Sequence, residues 1–239
     1  MRKRAFLAGL LIMMICLTVI ADHAVAADPA AAMAEMEPLL NKEPDNLQLG
    51  ARYRQAAIQA AQYDRCIEFY QKLIELRPDA SNVRLNFGFA YVDKIPAAGS
   101  ITQVILANNA LTEFTKSLEI KPSWLGYYTR GNSYLFWPRI FGRTALGIKD
   151  LEEAMKIQQA EAKRPYHVRT YVALGDGYWK MDELDKAKSV WTEGLKQFPG
   201  HAGLQARLSK QGDELKSVMD EAYDPNLRID TSLEELWAK

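Results

Sequence analysis

Small and bulky apolar residues recur along this chain in one fixed order, at the i, i+3, i+4 spacing that marks one face of a helix. Between Val168 and His201 the order is Tyr171-x-x-Leu174-Gly175-x-x-Tyr178, then Ala187-x-x-x-Trp191, then Pro199. A second stretch reads Phe87-Gly88-x-x-Tyr91, Ala110-x-x-x-Phe114 and Pro122. A third reads Tyr127-x-x-x-Gly131-x-x-Tyr134, then Gly147-x-x-x-Leu151 with Ala154 after it. The segment from Tyr63 through Cys66, Phe69 and Tyr70 to Pro78 gives the second half of a further unit, whose first half has Tyr53 and Arg54 in place of Leu-Gly. Met33 to Pro44 reads as the second helix of a half-unit. Prolines punctuate the pattern: Pro44 to Pro78 and Pro165 to Pro199 are each 34 residues apart, Pro78 to Pro122 is 44 and Pro122 to Pro165 is 43.

Helix packing explains the pattern. Gly88, Gly131 and Gly175 let two helices approach closely, and the aromatic three residues later fills the space beside the contact. Ala110, Ala187 and Cys66 act as the small partners on the second helix, and proline closes each pair because it cannot continue a helix. The spacing resembles that of the tetratricopeptide repeat (TPR), W-x2-L-G-x2-Y, A-x3-F, P, over about residues 30–200. The resemblance implies an all-α fold, a right-handed superhelix of helix pairs in which each unit buries its apolar face only against its neighbours. The expected organisation is a signal peptide at 1–26, an N-terminal half-repeat helix at 27–45, and four units at 46–80, 81–123, 124–167 and 168–200. Residues 201–239 then form a capping helix and tail. From His201 to about Tyr223, Leu204, Leu208, Leu215 and Met219 share one face of an amphipathic cap. Asp224-Pro225 breaks it, and Thr231 or Ser232 is placed to cap a short terminal helix. Trp237 either packs on the body or anchors a partner.

Two units are enlarged at the same place. Tyr91 and Ala110 lie 19 apart and Tyr134 and Gly147 lie 13 apart, against 9 between Tyr178 and Ala187. The extra residues fall in the turn within each pair, Asp93 to Ser100 and Phe136 to Arg143, with some lengthening of the second helix. Both turns sit on the same edge of adjacent units. The second carries Trp137, Arg139, Phe141 and Arg143, a wall that either folds over the repeat edge or frames a ligand.

The N-terminus has the form of a secretory leader: Arg2, Lys3 and Arg4, an uncharged run from Ala5 to Ala21, then Ala24-Val25-Ala26 before Ala27. Cleavage after Ala26 gives a periplasmic or secreted protein; without it the 17-residue run is a short membrane anchor. Cys16 has no lipobox before it. Cleavage leaves 27 basic against 29 acidic residues and Cys66 as the lone cysteine, which reads as core. The full chain is balanced at 30 basic and 30 acidic residues, so no basic surplus points to nucleic acid.

No catalytic or nucleotide-binding fingerprint is present, and His167 and His201 belong to no metal-ligand spacing. Gly175-Asp176-Gly177 lies mid-helix as a packing element rather than a phosphate loop. The sequence therefore reads as a non-enzymatic binding module without cofactor. By resemblance, the first helix of each unit lines a concave groove. Its expected partner-facing residues are Asn82, Leu85, Phe89 and Val92 in the second unit, and Tyr128, Asn132, Leu135 and Phe136 in the third. The fourth contributes Arg169, Val172, Asp176, Trp179 and Lys180. Leu85 and Val172 equally suit helix–helix contacts. Ala51, Leu85 and Tyr128 stand where a carboxylate-clamp TPR would have Lys and its neighbours, so that mode is not expected. The expected partner is a segment of another envelope protein, with no nucleic acid and with membrane contact only through an uncleaved leader. The alternatives are a small-molecule binder associated with a transport system and an accessory factor in envelope assembly.

Overall fold

The computed structural model describes residues 28–237; the leader lies outside the described residues. Eleven helices follow one another without a strand among the described residues. They are α1 (Pro29–Lys42), α2 (Leu47–Gln59), α3 (Tyr63–Leu76), α4 (Ser81–Lys94), α5 (Ser100–Ile120), α6 (Trp124–Leu135), α7 (Thr144–Ala160), α8 (Val168–Lys180), α9 (Leu184–Gln197), α10 (Ala202–Ser209) and α11 (Gly212–Ala222). Helix starts follow from local chemistry. Asn46 Oδ1 accepts from the Leu49 amide at 3.0 Å, and Ser123 Oγ from the Gly126 amide at 3.0 Å, each satisfying a donor that the first turn leaves free.

The helices stack in chain order into a right-handed superhelix, and the pairs α4/α5, α6/α7 and α8/α9 make its most extensive contacts. The repeating glycines set those three. A Cβ on Gly88 would lie 2.3 Å from the Phe114 ring, and one on Gly175 2.2 Å from Trp191 Nε1. Phe114, Leu151 and Trp191 are fully buried at the corresponding places. The pair α2/α3 touches far less, because Tyr53 and Arg54 occupy the positions where a close approach needs small residues.

Both enlarged units widen at their inner turns. In the first, a 3-10 turn at Ile95–Ala97 leads into α5, which runs 21 residues. In the second, a 3-10 turn at Arg139–Phe141 ends on Gly142 at φ 63°, a left-handed backbone that glycine adopts without strain, before α7 begins. Helix α7 stops at Ala160, so the surplus beyond it is not helical.

The C-terminal end departs from expectation. The single capping helix is two, α10 and α11, broken at Lys210-Gln211 with Gly212 at φ 52°. Leu204, Leu215 and Met219 still bury together against Val168, Ala187 and Trp191, so the pair caps the last unit.

Gly175→Ala should lower unfolding stability by about 1–3 kcal/mol through overpacking against Trp191. Gly99→Ala, which meets nothing within 4 Å, should leave the denaturation midpoint unchanged. Chemical denaturation of both variants checks this.

Candidate functional site

Helices α4, α6 and α8 place Phe89, Val92, Tyr128, Asn132, Arg169 and Val172 along one concave wall. The chain's own C-terminus lies across it. Beyond α11, residues 224–237 run over the groove as a strap with one short 3-10 turn at Glu234–Leu236. Arg228 donates to Tyr63 Oη at 2.8 Å and to the Asp93 carbonyl at 3.1 Å. Gln103 donates to Asn226 Oδ1 at 3.2 Å. Leu233, 6% exposed, buries its side chain with Leu85, Phe89, Trp124 and Leu125, while Leu236 and Trp237 pack at the margin of that cluster. Arg169 closes the far end with an ion pair to Glu235 at 2.8 Å.

Arg54 anchors the strap. It is fully buried, and each guanidinium nitrogen has its own acceptor: Nε to Asn86 Oδ1 at 3.0 Å, Nη1 to Asp93 Oδ2 at 2.8 Å and Nη2 to the Thr231 carbonyl at 2.7 Å. The plane also lies over the Phe89 ring, 4.7 Å from its centroid. The Thr231 hydroxyl in turn donates to Asp93 Oδ1, so its side chain ties the strap down instead of capping a helix. Burial pushes the Asp93 carboxyl up from its ordinary range, against the opposing pull of Arg54 and the Thr231 hydroxyl. A full set of partners keeps this charge tolerable inside the protein.

Several residues expected to face a partner are otherwise engaged. Leu85 and Leu135 are 1% and 0% exposed, so neither offers surface. Asn82 binds Asp45 in the α1–α2 turn, its amide to Oδ1 at 2.7 Å and its side chain to the carbonyl at 2.9 Å. Asp176 is 1% exposed and receives Arg207 of α10 in a fork at 2.6 and 2.7 Å, with Trp191 Nε1 at 3.1 Å and Tyr223 Oη at 2.9 Å. Trp179 is partly buried against the cluster built by α9, α10 and α11. Lys180 donates to the Leu135 carbonyl and sits over the Tyr223 ring, and burial lowers its pKa from the usual lysine range.

The two inner turns and the strap line a half-open cavity of about 380 Å3. The first turn contributes Ile95 and Pro96 beside Val92, and the second contributes Phe136, Trp137 and Pro138. From the strap come Pro225, Leu227 and Ile229, and from the lengthened part of α5 Val104 and Ala107. Asn132 lies between this cavity and the smaller one of about 280 Å3 under the rest of the strap. Of the expected aromatic-and-arginine wall, Trp137 is buried in the cavity lining, and Arg143 lies over its ring at 3.6 Å while donating to Asn108. Phe141 stays 59% exposed at the outer edge, and Arg139 pairs with Asp182 in solvent. Among the described residues no three His, Cys, Asp or Glu side chains form a metal site, and no helix is long and apolar enough to cross a membrane.

Arg54→Met should destabilise the protein by about 3–5 kcal/mol, because it strands the buried Asp93 carboxylate. Arg139→Ala, which loses only a solvent-exposed pair, should leave the melting temperature unchanged. Thermal unfolding of the two variants side by side distinguishes a structural anchor from surface charge.

Residues 55–80, the end of α2 and all of α3, match the tetratricopeptide repeat family model. No curated protein sequence matches the chain. Among solved structures, the fold is similar to TTC0263, a thermophilic TPR protein of Thermus thermophilus, at 18% identity and a TM-score of 0.55, covering 76% of this chain and 89% of that one. MamA is similar at 19% identity and a TM-score of 0.53, covering 77% and 94%. YrrB, described as a TPR protein with an unusual peptide-binding site, is similar at 18% identity and a TM-score of 0.50, covering 84% and 88%. With a matched repeat at 55–80 and stacked helix pairs on either side of it, the chain carries a tetratricopeptide repeat within a helical-repeat fold similar to that of solved TPR proteins.

Proposed function

We propose that the protein is a non-catalytic interaction module of the cell envelope that takes an extended segment of a partner protein into its concave groove. The observation that carries this reading is the strap itself. Here the groove holds an extended polypeptide, gripping a backbone carbonyl with Arg54, a leucine in an apolar pocket and a carboxylate with Arg169. Main-chain recognition combined with side-chain pockets is how peptide grooves obtain both affinity and specificity. The repeat fold, shared with a protein described as binding peptide, agrees with this use. The leader-like N-terminus supports an envelope location.

A partner would exchange with the strap. That is the segment best suited to exchange, since its backbone–backbone hydrogen bonds among the described residues are local, as in Leu227 to Asp224, Leu236 to Leu233 and Trp237 to Glu234, and the Thr231 carbonyl is held by the Arg54 side chain alone. Leu233 also holds φ 61°, a left-handed backbone that strains a branched side chain by about 1–2 kcal/mol.

A labelled peptide of residues 224–239 tests the reading by fluorescence anisotropy. Leu233→Asp in the protein weakens its own strap and should raise affinity for the peptide at least tenfold over the unaltered protein. The same substitution in the peptide should abolish binding. If both proteins fold and neither takes up the peptide, the groove is not a peptide site. Intact mass in the periplasmic fraction tests location, with a chain beginning at Ala27 expected.

A further inference from the structure

All three departures from the plain repeat, the two inner turns and the C-terminal strap, line the same cavity. A generic helix pair would supply only its floor, at Val92, Ala110, Asn132 and Ser133. Each of the three contributes apolar wall: Ile95 and Pro96 from one turn, Trp137 and Pro138 from the other, Leu227 and Ile229 from the strap. At about 380 Å3 the volume falls within the ~300–1,000 Å3 typical of small-molecule sites.

The buried charge along the lining is already matched. Asp93 is held by Arg54 Nη1 at 2.8 Å and by the Thr231 hydroxyl, and Arg228 by Tyr63 Oη and the Asp93 carbonyl. Asp93 is therefore closed to a cationic ligand, the Arg228 charge lies on the exposed strap with its two terminal nitrogens engaged, and a charge brought against the apolar walls would be desolvated without a partner. Hydrogen-bonding capacity does remain. The Asn132 carboxamide has no protein partner among the described residues, and Gln103, whose Nε2 serves Ile95 and Asn226, keeps Oε1.

We propose that this cavity is a binding site for a small, uncharged, mainly apolar molecule carrying one hydrogen-bonding group, which Asn132 or Gln103 engages. The cavity exists with the strap in place, so the site does not depend on the groove exchanging its occupant. It also ties a ligand to the strap, because Pro225, Leu227 and Ile229 form one of its walls.

N-phenyl-1-naphthylamine, an uncharged aromatic amine, is a suitable fluorescent probe of the purified protein. Its emission should rise saturably with one site per chain. Ala107→Phe, which projects a ring into the cavity from α5, should weaken binding at least tenfold. Val104→Glu at the half-exposed mouth should do the same, and decides the matter if far-ultraviolet circular dichroism shows that Ala107→Phe does not fold. The anionic analogue 8-anilino-1-naphthalenesulfonate should bind at least tenfold more weakly than the neutral probe. Ile101→Ser and Ile140→Ser, on side chains 82% and 90% exposed outside the cavity, should change affinity less than twofold. Absence of saturable binding overturns the site. So does binding that survives the folded cavity variants but is lost in the two outer ones. Equal affinity for the anionic probe overturns the uncharged class of ligand.

Discussion

The arrangement of the groove depends on one buried guanidinium. Arg54 stands where the repeat ordinarily has its packing glycine, and a charge so placed is destabilising unless every donor is met. Asn86 and Asp93 of α4 meet two of them, and the third goes to a carbonyl 177 residues further along the chain. That requirement brings the C-terminus into the groove and spreads α2 from α3. The same pair fixes Asp93 at the end of α4, where the enlarged turn of the second unit begins. The strap, the start of the enlarged turn and the loosened first unit all meet at this one large charged residue.

Much of the scaffold was legible in the sequence because it depends on local periodicity. Gly88, Gly131 and Gly175 mark close helix contacts at spacings that do not depend on distant parts of the chain, and the helices formed around them. The cap was less well read: a continuous apolar face across Leu204 and Leu215 gives no hint that Gly212 will take a left-handed backbone between them. The groove divided along similar lines. Phe89, Val92, Tyr128, Asn132 and Arg169 line it as the helical register implies. Asp176 lies on the same face, but Arg207 of the cap claims it, a contact between helices that sequence spacing does not display. Leu85 lies beneath the strap for the same reason. The strap itself left one readable trace: an arginine at a helix-packing position needs a buried acceptor. What supplied that acceptor was not written near it.

The groove and the cavity are two parts of one surface. Under the strap, polar anchors at Arg54 and Arg169 bracket an apolar pocket filled by Leu233. Beyond its edge, the inner turns of two adjacent units extend the apolar surface until Trp137 and Arg143 close it. A molecule held against Leu227 and Ile229 favours the docked strap, and a segment that displaces the strap removes a wall of the cavity. Each occupant therefore biases the other's equilibrium by its difference in affinity for the two states.

The central claim is that the strap is bound to the repeat body through the Arg54–Asp93 pair. A double-mutant cycle on Asp93→Asn and Thr231→Val, read by chemical denaturation, measures that link directly, since the two residues meet only if the strap lies in the groove. A hydrogen bond to a buried charged group predicts a coupling of about 1.5–3 kcal/mol. Additive effects within about 0.3–0.5 kcal/mol, the behaviour of independent sites, would contradict the account.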